Sequence, residues 1–145
     1  MKTIPVLLAI SLAAAPAAFA QEVVGSVKTV TGDAVVIDSG RAVKAQPGTQ
    51  VRKGNVLKTA PGSTMGVTFT DNTVMSFGPD TELTVEEYLY APGKGNGKFS
   101  SKLSKGSLAA VSGAIAKLRP DAAELKTATG TIGIRGTHFV ARVEE

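Results

Sequence analysis

The sequence has 145 residues, a formal net charge of +4, an aromatic content of 5% and no cysteine. The mild positive charge and the scarcity of aromatics disfavour nucleic-acid binding, which usually needs a concentrated basic face with interleaved aromatics. With one histidine and no cysteine, the chain can form neither a Cys–His dyad nor a multi-histidine metal site.

Residues 1–20 have the features of a secretory signal peptide. One lysine precedes an apolar stretch from Ile4 to Leu12, and small residues stand at Ala18 and Ala20. We expect cleavage near Ala20, because a signal peptidase requires small side chains at these positions. The mature chain, residues 21–145, is then periplasmic or secreted, has no transmembrane segment, and has a length suited to one domain.

Turn signals punctuate the first part of the mature chain at short, even intervals. The segments between them are rich in Val, Thr, Ile and Phe, and Met65, Val67 and Phe69 alternate with Thr or Gly. Many short strands with regular turns predict an all-β domain. The turn signals are Gly32-Asp33, Ser39-Gly40, Pro47-Gly48, Lys53-Gly54, Pro61-Gly62, Asp71-Asn72 and Pro79-Asp80.

Two all-β architectures fit this spacing of turns. In a short-stranded, β-helix-like solenoid, each turn swings the strand onto the next side of a coil, and three such sides give a repeat of roughly 20–30 residues. In a β-sandwich or barrel, antiparallel strands enclose a core instead. We favour the solenoid and keep the sandwich or barrel as the alternative.

Two later segments differ from this pattern. Residues 91–98 are rich in Gly and Lys, which is typical of an exposed excursion between strands. From Gly106 to Leu118 the apolar residues have helical spacing, but two glycines and many small residues also fit a closely packed strand. Periodicity alone leaves helix and strand open for this segment.

No catalytic, cofactor-binding or metal-binding residue is predicted, and we expect the protein not to be an enzyme. His138 begins an alternating strand on its outward side, where a solvated side chain is expected rather than a general base. Asp71 and Asp80 lie at turns, where their oxygens serve the backbone. Glu86 and Glu87 are predicted to point to opposite faces of a strand, so they do not form a carboxylate pair.

The least ordinary stretch lies near the carboxyl end, where threonines alternate with small residues and Arg135 stands between Ile134 and Gly136. A planar guanidinium in this setting can lock a tight turn or bind a ligand. The run from Thr127 to Phe139, which ends in Gly133-Ile134-Arg135-Gly136-Thr137-His138-Phe139, resembles the signature that closes the domain of the FecR family. The positions with a possible structural or interaction role are Gly133, Arg135, Gly136, Thr137 and Phe139.

The resemblance extends to earlier positions, among them Gly48, Gly54, Leu83 and Gly106. It implies an extracytoplasmic all-β domain, with a β-helix-like coil and with strand rather than helix after Gly106. FecR-type regulators carry signals from an outer-membrane receptor to a cytoplasmic sigma factor. Because a cleavable signal stands where their anti-sigma and transmembrane segments would be, we expect a stand-alone FecR-like domain over residues 21–145.

The predicted function is that of an exported, non-catalytic binding module of the bacterial cell envelope. Its expected partner is an envelope protein, met through exposed strand edges, and an accessory role in envelope signalling follows from the resemblance. Open strand edges could also pair two copies of the chain. The alternative is a carbohydrate- or cell-wall-binding domain, for which Tyr88 and Tyr90 are the available stacking residues.

Overall fold

The computed structural model describes residues 22–91, 96–119, 122–133 and 138–143. These ranges contain twelve strands and one short helix. In chain order the elements are β1 (Val23–Thr31), β2 (Ala34–Asp38), β3 (Arg41–Lys44), β4 (Gln50–Arg52), β5 (Val56–Thr59), β6 (Thr64–Phe69), β7 (Val74–Phe77), β8 (Glu82–Ala91), β9 (Asn96–Val111), α1 (Ala114–Leu118), β10 (Ala123–Thr127), β11 (Gly130–Gly133) and β12 (His138–Val143).

The strands form one sheet that folds back on itself as a curled half-barrel. Its two halves are here called the front sheet, with the order β4-β1-β6-β7-β9-β12, and the back sheet, with the order β3-β2-β5-β8-β9-β10-β11. The 16-residue strand β9 belongs to both halves. Its first part pairs with β8 and β10, and its last part pairs with β7 and β12.

Four of the places where the chain passes between the two halves form a row of corners, here called the fold line. Its corners are Gly32-Asp33 between β1 and β2, residues 60–63 between β5 and β6, residues 78–81 between β7 and β8, and Gly106 within β9. Strands on one side of a corner pair in the front sheet, and their continuations pair in the back sheet. Strands that change sheet through bends are a known way of building corners in packed β structures.

Two threonine hydroxyls connect neighbouring corners of the fold line. Thr59 Oγ1 donates to the carbonyl oxygen of Gly78 at 2.6 Å and accepts the backbone N–H of Thr81 at 3.0 Å. Thr81 Oγ1 in turn accepts the backbone N–H of Ser107 at 3.1 Å. Both threonines are buried, so these bonds satisfy polar groups that would otherwise be desolvated without partners.

Gly106 occupies the tightest corner, with φ of +89°. A Cβ atom there would collide with Oγ1 and Cα of Thr81 and would lie 2.7 Å from the carbonyl oxygen of Asp80. Only glycine fits both this backbone conformation and this space.

The two halves of the sheet enclose one hydrophobic core. Alternate residues of the front sheet, such as Val67 and Phe77, face alternate residues of the back sheet, such as Leu83 and Leu103, and all four are at most 2% exposed. The period of two predicted for Met65, Val67 and Phe69 is confirmed, because all three are buried while their neighbours are more exposed.

The all-β class is confirmed, whereas the preferred solenoid is not, and the sandwich or barrel alternative fits. Successive coils of a parallel β-helix stack strand on strand in parallel, but ten of the eleven pairings among the described residues are antiparallel. The predicted turns are present. Five of them are passages between the two sheets, while Ser39-Gly40 and Asp71-Asn72 close hairpins.

Strand β9 decides the structure of the segment from Gly106 to Leu118, for which the sequence leaves helix and strand open. It continues through Gly106 to Val111, and a single helical turn, α1, then follows from Ala114 to Leu118. The excursion predicted for residues 91–98 is wrong for Ala91 and for residues 96–98, which lie in the paired strands β8 and β9. Residues 92–95 lie outside the described ranges.

Replacing Gly106 with alanine should destabilise the domain by at least about 3 kcal/mol, because an unfavourable positive φ is combined with a collision against backbone. The matched control is Gly40→Ala, since Gly40 has φ of +81° but open space around the Cβ position. That variant should lose only about 1 kcal/mol. Urea unfolding measures both values, and equal losses would contradict a tightly packed corner.

Candidate interaction surface

The outer face of the back sheet is charged, and two of its lysines form close ion pairs with glutamates. Lys98 Nζ lies 2.7 Å from Glu87 Oε2, and Lys126 Nζ lies 3.0 Å from Glu86 Oε2. The hydrogen bond and charge of Lys98 lower the pKa of Glu87, and those of Glu86 raise the pKa of Lys126. All four side chains are substantially exposed, so these pairs contribute little stability but keep this face hydrated.

Glu86 and Glu87 were predicted to lie on opposite faces, and this prediction is wrong. The register between β8 and β9 shifts between Val85 and Glu87, which is the mark of a β-bulge. An extra residue at this point interrupts the strict alternation of faces, and both carboxylates reach lysines on the exposed side. Each carboxylate has its own lysine, which agrees with a structural role in the ion pairs.

The outer face of the front sheet carries small, uncharged side chains across its central strands. Opposite one another in register, Gly66, Ser76 and Ala109 form one row from β6 to β9, which ends at Val140 on β12. A second row consists of Ser26, Thr68, Val74 and Val111 and ends at His138 on β12. Because the side chains are short, a shallow groove of about 380 Å³ runs over the first row.

Strand β12 forms the edge of the front sheet beside this face. Within the described residues it pairs with β9 alone, from His138 opposite Val111 to Val143 opposite Gly106. Val140 is 77% exposed and is the most exposed of the large apolar side chains in the described ranges. His138 is also exposed, as its predicted outward position requires.

The residues of the carboxyl-terminal signature divide between two strands. Gly133 is the last residue of β11 and pairs with Glu124, whereas Phe139 lies in β12 opposite Ala110. Phe139 is half-buried and packs against the core. The other signature residues, Arg135, Gly136 and Thr137, lie outside the described ranges.

Asp71 has a larger structural role than its predicted turn position indicates. Its carboxylate accepts the backbone N–H of Thr73 at 3.1 Å, as expected at a turn, but also the backbone N–H of Ile115 at 3.1 Å. The Thr73 hydroxyl donates to the same carboxylate at 2.9 Å and accepts the backbone N–H of Gly113 at 3.1 Å. Asp71 is 1% exposed, so one buried carboxylate holds α1 against the β6–β7 turn.

Tyr88 is engaged inside the domain, which removes it as a stacking platform for sugars. Its ring lies 5.9 Å from that of Phe69 and 5.1 Å from that of Phe99, centre to centre. Its hydroxyl oxygen accepts the backbone N–H of Asp71 at 2.9 Å and lies 2.7 Å from the hydroxyl of Thr70. Burial raises the pKa of the Tyr88 phenol above its ordinary value.

The described residues contain no group of three His, Asp or Glu side chains arranged to hold a metal ion. The same ranges include no helix with the length and apolar character needed to cross a membrane.

Replacing Asp71 with asparagine should destabilise the domain by about 2–3 kcal/mol. In asparagine an NH2 group replaces one carboxylate oxygen, so a donor would face a donor where Asp71 now accepts a hydrogen bond. A buried mismatch between polar groups has a cost of this size. Asp80→Asn is the matched control, since Asp80 is an exposed turn residue and should lose less than about 0.5 kcal/mol. Faster hydrogen exchange of the Ile115 amide in Asp71→Asn would locate the loss at α1. Unchanged exchange and stability would contradict this role.

Comparison with known proteins adds one match. The family described as FecR protein matches residues 55–145, which include β5 to β12 and α1. No match was found to a curated protein or to a solved structure. Because the family match covers more than half of the chain and agrees with the resemblance of its carboxyl-terminal signature, this protein belongs to the FecR family.

Proposed function

We propose that this protein is an exported, non-catalytic binding module of the bacterial cell envelope, and that its partner is another envelope protein. Membership of the FecR family, whose regulators act in envelope signalling, supports this setting. The signal-like residues 1–20 support export, with cleavage near Ala20 and a periplasmic or secreted mature chain. An accessory role in envelope signalling follows if the partner belongs to such a pathway.

The binding domain, in this proposal, comprises the whole mature chain from residue 21 to residue 145. The pairing of β1 with β6 and of β2 with β5 supports this extent, because residues before the family match complete both sheets. Val27 and Val36, which precede residue 55, are also buried in the common core. A fragment limited to residues 55–145 would expose that core.

The observation that carries the proposal is the contrast between the two outer faces. Charged side chains are depleted at the centres of protein–protein interfaces, because each must be desolvated on binding. The row of Gly66, Ser76 and Ala109 meets this requirement, whereas the paired lysines and glutamates of the back sheet keep that face in water. The front face is therefore the proposed docking surface.

Ala109→Arg should weaken capture of the envelope partner at least tenfold, because a long unpaired charge would be buried at the centre of the front face. The matched control is Ser104→Arg, at an exposed position of the same strand in the part that pairs with β8. The measurement is crosslinking in intact cells, followed by identification of the captured proteins. Circular dichroism first establishes that both variants fold.

Two results of this experiment would overturn the proposal. One is the recovery of no envelope protein with the unmodified chain. The other is an equal yield of the captured protein for both arginine variants, which would mean that the front face is not used.

A further inference from the structure

Among the described residues the sheet has four outer strands, β3, β4, β11 and β12, and three of them resist pairing with another chain. Strand β3 carries a basic residue at each end, Arg41 and Lys44. Strand β4 has only three residues, and β11 has four with a glycine at each end. Shortness, charge and glycine are the usual means by which proteins protect sheet edges.

Strand β12 has His138 and Arg142 near its ends, but it is longer than the other three, and its centre lacks these protections. It has six residues, and Phe139, Val140, Ala141 form an uninterrupted apolar run at its centre. In an antiparallel ladder, alternate residues direct their backbone N–H and C=O groups away from the neighbouring strand. An added strand would therefore find hydrogen-bonding groups together with apolar side chains on both faces of β12.

We propose that β12 pairs in antiparallel fashion with β12 of a second copy of this chain, centred on Val140. This register places the exposed Val140 directly against its equivalent on the outer face. On the core-facing side it places the large Phe139 opposite the small Ala141, and the reverse, so that the two contacts complement one another in size. His138 falls opposite Arg142 at the rim, where water and salt screen their interaction.

Such pairing would join two front sheets into one continuous sheet. Each copy contributes the same strand, so the interface is isologous and closes as a dimer. The rows of uncharged side chains on the two front faces would then lie on the same side of the joined sheet, which doubles the surface available to a partner. To this extent the inference rests on the proposed function, although the pairing itself does not require it.

A single introduced cysteine tests the register directly, because the natural chain has none. Opposite residues of an antiparallel pair have Cα atoms roughly 4.5–5.5 Å apart, which is within the range for a disulfide. Val140→Cys should therefore form a disulfide-linked dimer as its main product under mild oxidation. The matched control is Val43→Cys, since Val43 is 43% exposed and lies on the protected edge strand β3. Equal crosslinking of the two variants would overturn the proposal.

Sedimentation velocity of the mature chain provides the second measurement. The unmodified protein and Val43→Lys should dimerise with rising concentration, whereas Val140→Lys should remain monomeric, with at least a tenfold higher dissociation constant. A monomeric unmodified protein would overturn the self-pairing. If that monomer still captures an envelope protein in cells, the proposed function stands alone. A dimer that captures no envelope protein would support the self-pairing and overturn the proposed function.

Discussion

The contact between Thr81 and Gly106 sets the shape of the whole molecule. At this point the long strand β9 and the consecutive strands β7 and β8 bend together from the front sheet into the back sheet. The left-handed backbone of Gly106 makes the bend. The hydroxyl of Thr81 accepts the backbone N–H of Ser107 across it. Without this bend, β7 and β8 could not both pair with β9 while facing each other across a core.

At the neighbouring corners, the hydroxyls of other buried residues also accept backbone N–H groups. At the corner between β1 and β2, the backbone N–H of Asp33 donates to the buried hydroxyl of Ser63 at 2.8 Å. The backbone N–H of Asp80 donates to the carbonyl oxygen of Ala60 at 3.3 Å, which connects the corner between β5 and β6 to the corner between β7 and β8. Buried hydroxyls thus act where the ladder of backbone hydrogen bonds is interrupted. The fold line is a continuous structural feature, and the two outer faces differ in chemistry on either side of it.

Much of the fold could be predicted from the sequence, because turns and alternating side chains are local signals. The sequence could not distinguish a hairpin from a corner, since Gly32-Asp33 and Asp71-Asn72 have the same kind of composition. What separates them is the distant partner: Ser63 for the first, and α1 for the second. The regular interval between turns favours a solenoid of short coils, but it does not specify whether the strands pair in parallel.

The candidate surface was harder to foresee from the sequence. Small residues such as Ser76 and Ala109 look alike whether they face solvent or a core, and only the register brings them into one row. Tyr88 looked available for binding, yet its hydroxyl contacts the backbone of Asp71, 17 positions away. The bulge at Glu86 also leaves no local signal, because it depends on the register of β9. By contrast, the family resemblance indicated the cell envelope as a setting, which no single geometric feature could do.

Backbone nuclear Overhauser effects in the folded mature chain test the account most directly. The account predicts antiparallel contacts between Phe77 and Leu108 on one side of Gly106 and between Leu83 and Leu103 on the other. Both sets can exist together only if β9 bends at Gly106 with β7 and β8 alongside it. Parallel contacts between strands one coil apart, in place of these two sets, would indicate a solenoid and would contradict the folded sheet.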